Sequence, residues 1–260
     1  MKKITLLIYI LPLLTACATS PLGRSQLILM PDDEINTMGV QAFTQIKEKQ
    51  PTSKNKTAND FVNCVANALL KEVGGDWELV VFEDKTANAF ALPGNKIGVH
   101  TGLIDLVDNA DQLAAVIGHE IGHVLAHHGN ERMSQEMAVQ QSLSITQAIF
   151  APTSTLGQTA MSALGLGAQY GVVLPFSRLH ESEADIIGLN LMAQAGFNPQ
   201  ESINLWVKMG QASAGQNPPE FMSTHPTSST RIKDLKKNMP QALQTQKAAI
   251  AAGKRPQCVK

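Results

Sequence analysis

Apolar positions along this chain fall into long helical runs with one short strand-like region between them. Across residues 111–128, Leu113, Val116, Ile117, Ile121, Val124 and Leu125 cover more than one helix face, the pattern of a helix buried in a core. Gly118 and Gly122 interrupt it four residues apart. Each costs about 1 kcal/mol of helix propensity, so another element is expected to approach this helix closely. Upstream, Asp32, Asp33 and Glu34 form the acidic first turn of a helix predicted to end near Lys49. After a polar break at 51–57, Asn59 or Asp60 caps a second helix with Phe61, Val65 and Leu69 on one side and Gly74-Gly75 as its stop.

Residues 77–83 alternate and are rich in β-formers, and 88–91 and 96–100 flank a Pro93-Gly94-Asn95 turn. This predicts a strand, then a hairpin. Further helices are predicted over 130–150, over 176–195 with Gly196 as stop, from Asn198-Pro199 to Met209, and over 227–238. Residues 210–220 read as a loop. Residues 151–171, rich in small residues and Met, fit either a flap near the site or a loosely packed helical hairpin. The fold class is therefore α+β, mainly helical, with a small sheet and hairpin beside the central helix.

The length of 260 residues suits one domain of roughly 200 residues with tails. Charge is balanced, 21 basic against 22 acidic residues, which argues against nucleic acid as a partner. The first residues add a destination. Lys2 and Lys3 precede an apolar run over 4–14, too short to span a bilayer but suited to a signal peptide. It closes on Leu14-Thr15-Ala16-Cys17, which looks like a bacterial lipobox, with Cys17 as the lipidated first residue of the mature chain. Ala18 and Thr19 follow, with no aspartate to resemble an inner-membrane retention signal, so the outer membrane, facing the periplasm, is expected. The predicted organisation is a signal peptide at 1–16, a lipid-anchored tether at 17–31, one domain at 32–240 and a tail at 241–260. Cys64 and Cys258 are the cysteines left after lipidation, and in an exported protein they are expected to form a disulfide that docks the tail.

Within the central helix stands His119-Glu120-Ile121-Gly122-His123. Two histidines four apart share a helix face and can hold one metal ion, while Glu120 is placed to act as a base. A hydrolytic zinc site wants three protein ligands and an open position. The third ligand must come from elsewhere. The helix predicted at 176–195 offers Glu181, Glu183 and Asp185, and spacing alone does not choose among them.

The combination of His119-Glu120-Ile121-Gly122-His123, Glu181-Ser182-Glu183-Ala184-Asp185 and His225-Pro226 with Arg231 resembles the zinc endopeptidase family of the CAAX prenyl protease, HtpX, BepA and LoiP. The stretch at 88–104 matches that family's hairpin upstream of its metal helix, and the likeness runs over roughly 32–239. With a lipobox in front, lipoprotein members of the family are the nearest match. The resemblance implies a gluzincin-type peptidase domain holding one Zn2+ per chain, with His119, His123 and Glu181 as ligands. It implies Asp185 as the group that holds a ligand histidine through its other ring nitrogen, and leaves Glu183 in solvent. It places His225 and Arg231 beside the open zinc position, where His225 either donates to an oxyanion or plugs the metal. Substrate is expected along the edge strand at Ala89, Phe90 and Ala91. His100, His127, His128 and His180 are read as bystanders. Unfolded or misassembled envelope proteins are the expected substrates. The alternative is an outer-membrane assembly factor or chaperone with a structural or blocked zinc site.

Overall fold

The computed structural model describes residues 17–150, 158–159, 174–213, 220–225 and 229–260. Strands β1 (Cys17–Thr19) and β2 (Ser25–Leu27) form an antiparallel hairpin. Helices α1 (Asp32–Lys49) and α2 (Lys56–Val73) lead to a sheet of β3 (Glu78–Phe82), β4 (Ala89–Leu92) and β5 (Lys96–His100). Then come α3 (Thr101–Leu106), α4 (Ala110–Leu125), α5 (His128–Phe150), α6 (Leu174–Gln194), α7 (Gln200–Ser213), the one-turn α8 (Phe221–Thr224) and α9 (Ser229–Ala251). The α+β class, mainly helical with a small sheet, is the one the pattern implied. Among the described residues no helix is long and apolar enough to cross a membrane.

In the sheet, β5 lies between its neighbours, parallel to β3 and antiparallel to β4, so β4 is an edge. Phe90 opposes Gly98 across the hairpin. A Cβ at Gly98 would lie 2.3 Å from the Phe90 ring, so only glycine leaves that ring its place. Phe90 there meets Phe43 of α1 and Phe82 of β3, which seats α1 on the sheet.

The core is built around α4, whose Leu113, Val116, Ile117 and Ile121 are fully buried. Its two glycines are explained by α6. A Cβ on Gly118 would stand 3.1 Å from the carbonyl oxygen of Gly188, and one on Gly122 would stand 2.9 Å from that of Ala184. The helices thus meet backbone to backbone at His119 and His123 on one side and at Glu181 and Asp185 on the other. That closeness lets short side chains from two helices converge.

Four expectations need correction. The cap of α2 is Asn55, whose side chain accepts from the Ala58 N–H, and not Asn59 or Asp60. The 17–31 segment is no free tether: its hairpin docks on α5 with Ser20 and Gln26 buried. The stretch at 241–260 is no loose tail, because α9 continues through Pro240 to Ala251 with Ala242 and Ala249 buried. Helix α7 also runs on to Ser213, past the loop expected from residue 210. Cys64 and Cys258 are joined by a disulfide, with Cα atoms 5.6 Å apart across 194 residues of sequence. The flap or hairpin expected at 151–171 lies outside the described residues apart from Gln158 and Thr159.

Candidate metal centre

The H-E-x-x-H spacing puts both imidazoles of α4 on one face, with Nε2 of His119 and Nε2 of His123 3.0 Å apart. From α6, Glu181 sets one carboxylate oxygen 3.4 Å from His119 Nε2 and the other 3.4 Å from His123 Nε2. His225, after α8, adds Nδ1 at 3.0 Å from Glu181 and 3.2 Å from His119. The ligand atoms of all four residues lie within 4.8 Å of one another. Zinc bonds of about 2.0–2.2 Å in a tetrahedron place neighbouring donors roughly 3.3 Å apart. The separations here match that figure. Burial disfavours a charge on His119, yet Asp185 and Glu181 raise its pKa to about 9, whereas burial lowers that of His123. Donor type and spacing fit zinc.

Behind the donors, Asp185 accepts from His119 Nδ1 at 3.0 Å, which fixes the tautomer that leaves Nε2 for the metal. Arg231 was expected beside the open position and is found elsewhere. Its guanidinium is buried over Trp206, donates from Nε and Nη2 to Asp185 at 2.6 and 2.7 Å, and reaches Glu181 at 3.0 Å. Arg231 therefore holds two carboxylates in place. The oxyanion role does not fit that position.

Glu120 is buried beside the donors. Its Oε2 accepts from the Ala91 N–H at 3.0 Å, and its Oε1 has no hydrogen-bond partner among the described residues. Burial pushes its carboxyl up from the ordinary glutamate range, which moves it toward the basicity a proton-transfer group needs at neutral pH. His225 Nε2 stands 3.5 Å from that free oxygen. His225 also stacks on buried Phe221, with ring centroids 4.5 Å apart.

A cleft of about 430 Å³ opens on this centre. One wall is β4, including Ala89, Phe90 and Ala91, and the others include Ile35, Met38 and Ala42 of α1 and Met133 of α5. The predicted substrate strand thus borders the metal centre. At Ala91, however, the N–H is taken by Glu120, and the Phe90 ring packs toward Phe43 and Phe82.

The residues read as bystanders divide. His100 donates or accepts at Thr86 Oγ1 and packs on Phe82, away from the metal donors. His127 is half exposed, but its φ of 52° turns the chain between α4 and α5. His128 and His180 are a correction: both are buried, their rings stacked 4.3 Å apart, and His128 Nδ1 lies 2.9 Å from His123 Nδ1. Burial lowers His128 to about 4, which keeps it neutral. Glu183 is likewise not in solvent. It is 5% exposed and meets His128, Ser20 and Arg24. Glu131, fully buried, completes the group by binding Arg24, Gln26 and His180.

Comparison with known proteins agrees with this geometry. The sequence model of peptidase family M48 matches residues 52–239. The mitochondrial metalloendopeptidase OMA1 of Schizosaccharomyces pombe is 38% identical over 64% of this chain and 48% of its own length. OMA1 of Saccharomyces cerevisiae is 37% identical over 68% of this chain and 51% of its own. The beta-barrel assembly-enhancing protease of Yersinia pestis is 27% identical over 83% of this chain and 46% of its own. The chain thus spans about half the length of these curated relatives. The matched stretch takes in α2, the three-stranded sheet, both helices that carry the donors and the start of α9, so the likeness covers the donors with Glu120, Asp185 and Arg231: the chain belongs to peptidase family M48.

Proposed function

We propose that this chain is a zinc metalloendopeptidase that hydrolyses unfolded or misassembled proteins of the bacterial envelope. One observation carries the reading. Three donors from two helices converge beside the buried Glu120 carboxylate, whose Oε1 has no hydrogen-bond partner among the described residues.

Zinc held by His119, His123 and Glu181 would supply a Lewis acid that polarises the scissile carbonyl and eases deprotonation of water. Glu120 Oε1 takes the proton of the attacking water, and the same carboxyl returns it to the leaving amine. Asp185 and Arg231 keep the donors in register while this happens. An extended peptide lies along β4, where backbone hydrogen bonding holds many sequences with modest preference. The apolar wall of Ile35, Met38, Ala42 and Met133 suits segments that folded proteins hide.

The position of His225 favours a resting state in which its Nδ1 fills the fourth corner of the donor set. The same observation supports a second reading, an outer-membrane assembly factor or chaperone whose zinc site stays blocked. Casein cleavage with and without a chelator, beside Glu120→Gln, separates the two. Chelator-sensitive cleavage lost in the variant supports the peptidase, and none under any condition supports the blocked site.

For location, the relatives' names point to mitochondria in one set and to barrel assembly in the other. The apolar run ending in Leu14-Thr15-Ala16-Cys17 supports the envelope. We propose that the chain, lipidated at Cys17, sits on the periplasmic face of the outer membrane, as a lipoprotein of the LoiP kind. Cys17→Ala should leave the membrane fraction. If it stays with the outer membrane after a high-salt wash, the lipid anchor is wrong.

A further inference from the structure

The two ligand histidines of α4 are supported differently. His119 leans on Asp185 and Arg231, which belong to the family's own motifs. His123 leans on His128, the residue directly after the break at His127, and His128 leads away from the centre to the N-terminal hairpin. His123 Nδ1 meets His128 Nδ1 at 2.9 Å, and His128 Nε2 meets Glu183 Oε2 at 3.2 Å. Glu183 Oε2 also takes the Arg24 Nε–H at 2.9 Å, while its Oε1 takes the Ser20 hydroxyl. Arg24 turns its other two nitrogens onto Glu131 at 2.7 and 2.6 Å.

Donor and acceptor counting gives this chain of contacts a direction. A carboxylate only accepts; Glu183 takes the Arg24 guanidinium N–H on one oxygen and the Ser20 hydroxyl on the other, so it stays ionised and His128 must present Nε2–H to it. A neutral imidazole with its proton on Nε2 has a bare Nδ1. His123 must then donate from its own Nδ1, which leaves its Nε2 lone pair facing Glu181 and His119. Reversing any link would set two donors or two acceptors against each other.

We propose that the hairpin just after Cys17 is a working part of the metal centre: Ser20 and Arg24 hold Glu183, Glu183 sets His128, and His128 fixes the tautomer and ring of the ligand His123. His128 and Glu183 are positioning residues, acting through His123. Three and seven residues separate Ser20 and Arg24 from Cys17, so the segment nearest the cysteine completes a site built by α4 and α6, far along the chain. A purely structural ion cluster would tie the hairpin down equally well but would need no fixed donor direction at His123.

The inference rests on His123 being a zinc ligand. Its test uses the mature full-length protein and three variants, Ser20→Ala, Arg24→Ala and Glu183→Gln. Glutamine keeps the volume of Glu183 but can donate as well as accept, so it removes the direction without opening a hole. Zinc affinity is measured by chelator competition, the metal geometry by the absorption bands of Co2+ loaded in place of zinc, and kcat and KM on one peptide. Removing a group that orients a metal ligand typically costs 10–100-fold in metal affinity. Glu183→Gln should lose that much and shift the Co2+ bands, with kcat reduced and KM unchanged. Arg24→Ala should follow in the same direction and Ser20→Ala more weakly. Wild-type affinity and bands in all three, with only the melting temperature lowered, would overturn the proposal and leave a structural cluster. The control separates the two levels: if His123→Ala binds zinc as tightly as wild type, the ligand assignment itself has failed.

Discussion

Nδ1 of His225 lies 3.0 Å from Oε1 of Glu181, closer than either α4 histidine comes to that carboxylate. It stands at the corner of the donor set that faces the cleft, with its Nε2 turned toward Glu120. A histidine in that corner shuts out water. His225→Ala should therefore raise basal casein turnover, with zinc content held at wild type by His119, His123 and Glu181. A fall of tenfold or more at equal zinc content would show an oxyanion donor instead, whose loss costs about 10²–10³ in kcat.

The close approach of α4 and α6 gives a second prediction. A Cβ on Gly188 would lie 2.7 Å from the His119 nitrogen and 2.8 Å from the Gly118 carbonyl carbon, both rigid backbone atoms. Gly188→Ala should force the helices apart. Overpacking of this kind costs about 1–3 kcal/mol, and because the wedge enters at His119 it should also weaken zinc binding. Denaturant unfolding and chelator competition read the two effects. An unchanged midpoint would contradict the packing described here.

The helix pair and the two histidine donors were legible because they rest on local spacing, whereas the choice of Glu181 came from the family resemblance. His119 and His123 are four apart, and the 3.6-residue period fixes their common face whatever lies opposite. Two residues from both Glu181 and Asp185, Glu183 turns to another face of α6. The expectation that Glu183 is solvated failed because that face is covered by Ser20 and Arg24, 163 and 159 residues away in sequence. His128 was missed for a related reason: the left-handed turn at His127, which brings its ring under His123, leaves no mark in the pattern of apolar residues. Pro240 reads as a helix stop. Tertiary packing of Ala242 and Ala249 overrides the one backbone donor it removes. Arg231 was named from the motif, but its side of the metal depends on Asp185 and Trp206, which only the fold brings to it.

The hairpin cluster should make the protein acid-sensitive. Burial opposes charge on Glu183, yet hydrogen bonds from His128, Ser20 and Arg24 hold it down to about 2. Glu131 is lowered as well, by Arg24, His180 and Gln26 against its own desolvation. A carboxyl with a depressed folded pKa contributes stability that is present above its unfolded value, ordinarily near 4.3, and is lost as pH falls toward the folded one. Stability should thus decline from about pH 4.5 toward pH 2, and Glu183→Gln should flatten that decline. Unfolding midpoints across this range test it, and parallel curves for variant and wild type would count against the cluster.

Closing a loop between Cys64 and Cys258, 194 residues apart, constrains the unfolded chain. In the chain-entropy picture the gain is at most about 5 kcal/mol. Reduction should lower the unfolding midpoint and free the end of the chain after α9. Alkylation of the native protein without reductant, followed by intact mass, checks the bridge itself: no added groups are expected, and two would rule it out.

Casein turnover by Glu120→Gln, measured beside its zinc content, tests the central claim most directly. Glu120 is buried among the donors and is not needed to hold the metal, because His119, His123 and Glu181 supply that. Loss of a general acid–base group typically costs about 10²–10⁴ in rate. The account predicts wild-type zinc content with turnover reduced by at least that lower figure. Cleavage at the wild-type rate by the zinc-loaded variant would contradict it.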